Sequence, residues 1–329
     1  MVECLWRSPD IFRILVPLPD NPLRSLNSYV IQTPSHALIL DTGFRREECR
    51  KALWGGIRAL GLDLSKAALF LTHLHADHTG LVWDFVEQNI PVYMGRREKE
   101  YLDKLAARML YGQLVPDFIP AGFPPDQLAQ AKKYNQRNDY APAPNFPVKT
   151  VEDGQEFNLD GYKLKVICTP GHTPGHMVLY LPEQRLLFSG DHILFDITPN
   201  ITAWPEIPDS LSDYTTSLQA IQKLPIQAVF PAHREVGRDI GRRIDELIEH
   251  HGQRLNEIYQ TVRSHPGITA YETAGLIHWS MKGLSWDEFP SNQRWFAVGE
   301  TLAHLCYLVN RGQLIRINGT DVVRYYPAA

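Results

Sequence analysis

Residues 67–80 read AALFLTHLHADHTG. The first five form an apolar run of strand length. Beyond Thr72, three histidines and an aspartate (His73, His75, Asp77 and His78) fall within six residues. A buried strand that delivers polar groups onto the loop at its end is a common way for a scaffold to present a site. Three imidazoles and a carboxylate crowded together are costly unless something neutralises and orients them, and imidazole with carboxylate is a donor set for a divalent cation. A lone histidine is usually a hydrogen-bonded structural residue. A cluster at this spacing asks for more.

Four other positions repeat the same context, a ligand-type side chain immediately after an expected strand. Asp41 follows Ala37–Leu40, His172 lies in TPGHTPGH (169–176) after the strand-like YKLKVICT, Asp191 follows RLLFSG, and His233 ends PAH after Ala228–Phe230. Strand ends in one sheet layer put all of them on one rim. Two cations about 3.5–4 Å apart need six or seven ligands with one shared, and His73, His75, Asp77, His78, His172, Asp191 and His233 make seven.

Outward from this core the chain alternates strands and helices, which predicts an α/β fold. Strands are expected at Ser28–Gln32, Ala37–Leu40, Ala67–Leu71, Pro91–Met94, Tyr162–Thr169, Met177–Leu181, Arg185–Ser189 and Ala228–Phe230. Leu53, Ile57 and Leu60 mark one apolar helix face, and Leu211, Tyr214, Leu218 and Ile221 another. Residues 96–147 break the rhythm with two helical stretches, Arg96–Tyr111 and Asp126–Gln136, separated by Pro-rich loops. Such an insertion between two parts of a site reads as a lid or pocket wall, with Tyr101, Tyr111, Tyr134 and Tyr140 available to line it and an excess of basic residues that suits an anionic substrate. The catalytic domain is expected to span 1–235. Residues 236–329 read as helical, with a helix at Arg294–Asn310 and a hairpin at Asn318-Gly319, the outline of a winged helix.

The composition narrows the function. Of 329 residues, 44% are hydrophobic and 21% charged, which excludes wholesale disorder. With 33 Lys and Arg against 37 Asp and Glu, the net charge is −4, so any nucleic-acid role must rest on a local basic patch. Cys4, Cys49, Cys168 and Cys306 form no CxxC pair, and no window approaches 18 consecutive apolar residues. A cytoplasmic, non-membrane protein is expected. No GxSxG elbow, P-loop or strand-borne GxGxxG is present, which removes nucleophilic serine and nucleotide readings.

HxHxDH at 73–78, GH at 171–172, GD at 190–191 and PAH at 231–233, in that order, closely resemble the metallo-β-lactamase superfamily over roughly residues 10 to 235. The resemblance implies an αββα sandwich with a dinuclear centre at one edge of its two sheets. His73, His75 and His172 would hold one metal, Asp77, His78 and His233 the other, and Asp191 would bridge them. Asp41 would orient ligands from behind, His176 would support or pack, and His192 would turn away from Asp191. Two zinc ions are implied, with iron or manganese as the other choices, because the HxExD pattern of the di-iron members is absent. A metal-bridging hydroxide, oriented by Asp77, would attack an electrophilic carbonyl or phosphorus.

The substrate expected is a small ester, thioester or lactone. TPGHTPGH resembles the hydroxyacylglutathione hydrolases (glyoxalase II), although HILFDITPN after Gly190-Asp191 replaces their Gly-Cys-Gly-Arg-type stretch. The alternative is a single-strand endoribonuclease of the lactamase-β-like 2 type, which also pairs this domain with a winged helix. Charge weighs against it, since residues 252–329 carry seven Lys and Arg against six Asp and Glu, without the basic stripe of a nucleic-acid reader. The C-terminal module is therefore expected to pack or to dimerise, and the partners are a small-molecule substrate and a second copy of the chain.

Overall fold

The computed structural model describes residues 2–110, 118–135, 140–143, 145–236, 239–281 and 283–328, and the side chains of all of these except 105–110 and 132–135. Seven strands form the first sheet in sequential order: β1 (Val2–Trp6), β2 (Asp10–Pro17), β3 (Ser25–Gln32), β4 (Ala37–Leu40), β5 (Ala67–Leu71), β6 (Val92–Gly95) and β7 (Lys149–Val151). The second sheet holds β8 (Glu156–Leu159), β9 (Tyr162–Cys168), β10 (Met177–Leu181), β11 (Leu186–Gly190) and β12 (Ala228–Pro231), in the order β12-β11-β10-β9-β8. The sequence pattern omits β1, β2, β7 and β8. β7 and β8 are three and four residues long with one buried residue each, too short to show a period of two.

Alternate residues of each strand divide between the layers. Leu38, Leu40 and Phe70 face Leu164, Val166, Leu179 and Phe188 in a core between the sheets. Ile39, Leu69 and Leu71 point the other way, against α1 (Glu47–Ala59) and α3 (Val82–Val86) through Leu53, Ile57, Val82 and Phe85. On the outer face of the second sheet, Val178, Leu187 and Val229 meet α6 (Ser210–Gln222) and α7 (Ile240–Ser264). Both faces of both sheets are thus covered, which is why every residue of β4, β10 and β11 is buried and their side chains are almost all apolar. The layers run helix, sheet, sheet, helix. This is the αββα sandwich that the motifs imply.

Between β5 and α3 lies α2 (Ala76–Thr79), a single turn that carries the cluster read from the sequence. The insertion contains α4 (Arg96–Leu110) and α5 (Pro125–Asn135); part of its Pro-rich linker, with Tyr111, and the side chain of Tyr134 lie outside the described residues. Tyr140 stacks on Phe44 with ring centroids 4.6 Å apart, and Tyr101 donates to the Pro205 carbonyl at 2.9 Å. The second half of the insertion does not stand over the sheets alone. Phe118, Ala121, Phe123 and Leu128 share a core with Ile258 and Val262 of α7, Ala270 and Ala274 of α8 (Ala270–Leu276), and Val298 and Leu305 of α9 (Ser291–Asn310).

β13 (Leu314–Asn318) and β14 (Val323–Pro327) form the expected hairpin, but its tip is displaced. Asn318 pairs with Val323 and Gly319 N–H bonds to Val322, so Thr320 and Asp321 turn the chain instead of Asn318-Gly319. Tertiary partners of β14 hold this register. Val323 N–H donates to the Pro120 carbonyl at 2.7 Å, and Tyr325 exchanges backbone bonds with Gly267 and Ile268. Among the described residues no helix is long and apolar enough to cross a membrane.

Candidate metal centre

Every ligand-type residue named from the sequence stands just beyond the carboxyl end of a strand. Asp41 follows β4, His73 follows β5, His75 caps α2 with Asp77 and His78 inside it, and His172, Asp191 and His233 follow β9, β11 and β12. Backbone bonds stitch the two sheets together here. Met177 N–H reaches the Thr72 carbonyl and Asn27 N–H the Ala232 carbonyl, at 3.0 and 2.7 Å, while Ala232 N–H bonds within the second sheet to the Gly190 carbonyl at 3.0 Å. The strand-end rule therefore converges on one edge of the sandwich.

Three trios of donor atoms lie mutually within 4.8 Å: His73, His75 and His172; His73, His78 and Asp191; and Asp77, His78 and His233. Nε2 of His73 and Nε2 of His172 stand 2.9 and 3.1 Å from Nδ1 of His75. Asp77 Oδ2 is 3.3 Å from His233 Nε2 and 3.7 Å from His78 Nε2. Asp191 faces both groups. Its Oδ2 is 3.5 Å from His172 Nε2, while its Oδ1 is 3.4 Å from His233 Nε2 and 3.7 Å from His78 Nε2.

The groups behind the rings determine which nitrogen faces inward. His172 Nδ1–H donates to the Asn200 carbonyl at 2.9 Å, and His233 Nδ1–H to the Ser25 carbonyl at 2.8 Å. His78 Nδ1–H donates to Asp41 Oδ2 at 2.8 Å. Thr72 gives its hydroxyl proton to the same Asp41 oxygen, so Thr72 Oγ1 accepts His73 Nδ1–H at 3.0 Å. In the neutral rings, Nε2 of all four histidines then points a lone pair at the centre, the arrangement that metal-ligating imidazoles share. A single proton on His75 Nδ1 satisfies one contact, not two. His78 Nε2, His233 Nε2 and Asp191 Oδ1 are buried without a hydrogen bond. Converging lone pairs and orphaned buried donors fit divalent cations.

The electrostatics divide the site. Burial pushes His75 down to about 3, with His172 adding to it, and holds His73 well below the ordinary imidazole range. For His78 burial opposes charge, but Asp41, Asp77 and Asp191 outweigh it and raise the ring well above that range. Burial likewise works against ionising Asp77, yet His78 and His233 bring its carboxyl down to about 2. His73, His78 and His233 are wholly buried and His75 is half-buried, so the centre meets solvent on the His75 side.

Asp41 adopts φ 59°, a left-handed conformation that aspartate tolerates better than most side chains. Thr42 N–H and Gly43 N–H bond to the carbonyls of His78 and Asp77, so one turn fixes both Asp41 and α2. His176 sits behind Asp191: its Nε2 accepts Asp191 N–H at 3.2 Å and its Nδ1 meets Thr169 Oγ1 at 2.9 Å. His192 is buried edge-on to Tyr214 with centroids 5.2 Å apart, away from the cleft.

Glu98 was not singled out in the sequence. It is wholly buried at the start of α4, accepting Leu74 N–H and Gly175 N–H at 2.7 Å each, and it ties the HLHADH loop to the TPGHTPGH loop. Burial raises its carboxyl to about 7. Within RREKE (96–100) it looks like one more charge on a solvated helix. Trp204 and Asn200 were missed too, because nothing in HILFDITPNITAW marks where that loop returns.

Residues 22–233 match the Metallo-beta-lactamase superfamily and residues 283–328 the Metallo-beta-lactamase-like, C-terminal domain. A Beta-lactamase-like protein 2 homolog of Caenorhabditis elegans is 28% identical over 262 residues, which covers 78% of this chain and 72% of that protein. An atrochrysone carboxyl ACP thioesterase of Aspergillus fumigatus is 25% identical over 249 residues, 76% of this chain but only 47% of the relative. The crystal structure of a beta-lactamase domain protein from Burkholderia ambifaria superposes with a TM-score of 0.84 at 26% identity, over 99% of this chain and 94% of the other.

Proposed function

Because this chain belongs to the metallo-β-lactamase superfamily, we propose that it is a dinuclear zinc hydrolase that cleaves a small ester, thioester or lactone. The observation that carries this reading is the approach of His73 Nε2 and His172 Nε2 to His75 Nδ1, at 2.9 and 3.1 Å, beside a second group of Asp77, His78 and His233. His73, His75 and His172 would hold one cation and Asp77, His78 and His233 the other, and Asp191 turns one oxygen toward each trio. Bound cations supply Lewis acidity and a water whose pKa is lowered to about 7.

The protein's own groups supply orientation and proton bookkeeping. Asp77 stays ionised at neutral pH, so its carboxylate orients the attacking water instead of donating to it. Asp41, Thr72 and the carbonyls of Ser25 and Asn200 keep the rings of His73, His78, His172 and His233 turned inward, so those four need no reorganisation when substrate arrives. The apolar sheets behind exclude water from all sides but one. The thioester arm draws support from the similarity to the Aspergillus thioesterase.

A second reading, cleavage of single-stranded RNA, is favoured by the similarity to the Beta-lactamase-like protein 2 homolog. One panel separates the two. Metal-loaded enzyme is offered thioesters, lactones, bis-p-nitrophenyl phosphate and single-stranded RNA, with chelator-treated enzyme as control. Turnover of acyl substrates that disappears with the metal is expected. RNA cleavage without acyl turnover would replace the first reading by the second, and a protein that binds no metal under any loading would end both.

A further inference from the structure

The loop that reaches His172 is itself held by the C-terminal helix α9. At Gly299 the two backbones come close: a Cβ built there would stand 2.4 Å from Thr202 Oγ1, and the Gly299 carbonyl accepts Ala203 N–H at 3.2 Å. One residue further, Glu300 Oε2 accepts Asn200 Nδ2–H at 3.3 Å, and its Oε1 faces Arg254 Nε of α7 at 3.7 Å. Glu300 is 8% exposed, so this carboxylate has been taken out of water to make these contacts.

From that clamp two groups grip His172. The Asn200 carbonyl accepts its Nδ1–H at 2.9 Å, and Trp204 Nε1–H donates to its backbone carbonyl at 3.0 Å. The Trp204 ring also lies 6.0 Å from that of His75. A carbonyl that orients a metal-ligating imidazole is only as well placed as the loop bearing it, and outer partners of this kind are worth about 10–100-fold in metal affinity. Near its C-terminal end α9 pins the same loop again, where Asn310 Nδ2 donates to the Pro208 carbonyl at 3.0 Å.

We propose that Glu300 is a positioning residue for the metal centre, through which the C-terminal helix fixes Asn200 and thereby the ring of His172. The inference rests on the dinuclear-centre reading above. The C-terminal region is then part of the site's frame. His172 depends on it, whereas His78 and His233 are oriented by Asp41 and the Ser25 carbonyl, and among the described residues no hydrogen bond from α9 reaches either.

The test strips the full-length protein with chelator and titrates it with cobalt(II), whose visible bands report the geometry at each bound equivalent. Wild type should take up two equivalents. Glu300→Ala should weaken one of them about 10–100-fold and shift its bands, and leave the other unchanged. Glu300→Gln, which keeps an oxygen for the Asn200 amide, should restore most of that loss. Asn200→Ala, which keeps the carbonyl but removes the amide tie, should reproduce Glu300→Ala, with no further loss in the double variant. If Glu300→Ala does not fold, Asn200→Ala carries the test alone. Two wild-type-like equivalents with unmoved bands in Asn200→Ala would overturn the inference and leave the metal reading intact. Uniform weakening of both equivalents, unrescued by Gln, would reduce Glu300 to a packing role and overturn it as well. A wild type that takes up no cobalt and no zinc would remove the reading beneath it.

Discussion

The two trios of the centre share one sheet edge and differ in charge. His73, His75 and His172 are three imidazoles whose own trio contains no carboxylate, and burial drives all three rings below their ordinary range. Asp77, His78 and His233 carry their own anion, with Asp191 beside it, and both rings are raised despite burial. The second trio can balance its charge with protons, whereas the first presents bare lone pairs to one another. Each also has a separate buried carboxylate behind it. Glu98 braces the first trio through the backbone at Leu74 and Gly175, and Asp41 braces the second through His78 Nδ1 and Thr72. If the proposed dinuclear reading holds, these are two half-sites built by different means, and damage to one should leave a recognisable remainder of the other.

Removing a ligand should have the largest effect. His73→Ala or His75→Ala is expected to lower metal content toward one equivalent and to cut turnover by more than the roughly 100-fold that marks loss of an outer partner. Asp77→Ala should cost turnover even where metal remains in the first half-site. Metal analysis beside kinetics checks this. Full turnover by a His73→Ala protein shown to be metal-free would break the assignment.

The second-largest effect separates the two braces. Asp41→Ala strands His78 Nδ1–H, Thr72 N–H and the Thr72 hydroxyl, three donors that converge on one carboxylate. It should weaken metal binding at Asp77, His78 and His233 by about 10–100-fold. Because Thr72 Oγ1 also accepts from His73, a smaller loss at the first half-site should accompany it. Equal losses at both would mean that the halves are not independent, and competition titrations with a chromogenic chelator resolve the two affinities.

How much of this could be read in advance follows from the kind of signal each residue leaves. The HLHADH cluster was legible because no packing requirement produces it. Asp41, His172, Asp191 and His233 were legible because each follows a strand, which places it on the rim whatever the helices do. Glu98 and Asn200 left no such trace. Glu98 sits in a charged run and is buried only because α4 docks across the HLHADH and TPGHTPGH loops. Asn200 matters through its backbone carbonyl as much as its side chain, and a carbonyl is invisible in residue identity. The insertion was legible as an interruption, but its partner was not, since Phe118, Phe123 and Leu128 find theirs about 130 to 190 residues later in α7 and α9. Ligands are local in sequence. What holds them in place is distributed by the fold.

The smallest expected effect is a pH dependence that belongs to Glu98. Its carboxyl ionises near the model-peptide value of 4.5 when the chain is unfolded and at about 7 when folded, because burial disfavours the charged form more than the N–H groups of Leu74 and Gly175 favour it. A pKa raised by folding stabilises fully below the unfolded value and is lost as pH rises through the folded one. Glu98 should therefore support the metal-free fold best near pH 4.5 and progressively less toward pH 8. Glu98→Gln has no proton to exchange, so the stability of wild type minus that of the variant should decline between those limits. Denaturant midpoints on chelated protein across that range measure the difference. A flat difference would mean that the two backbone N–H groups stabilise the carboxylate enough to cancel burial. Glu98 would then be a fixed anion like Asp77 of the second half-site, and the contrast between the halves would narrow to the ligands themselves.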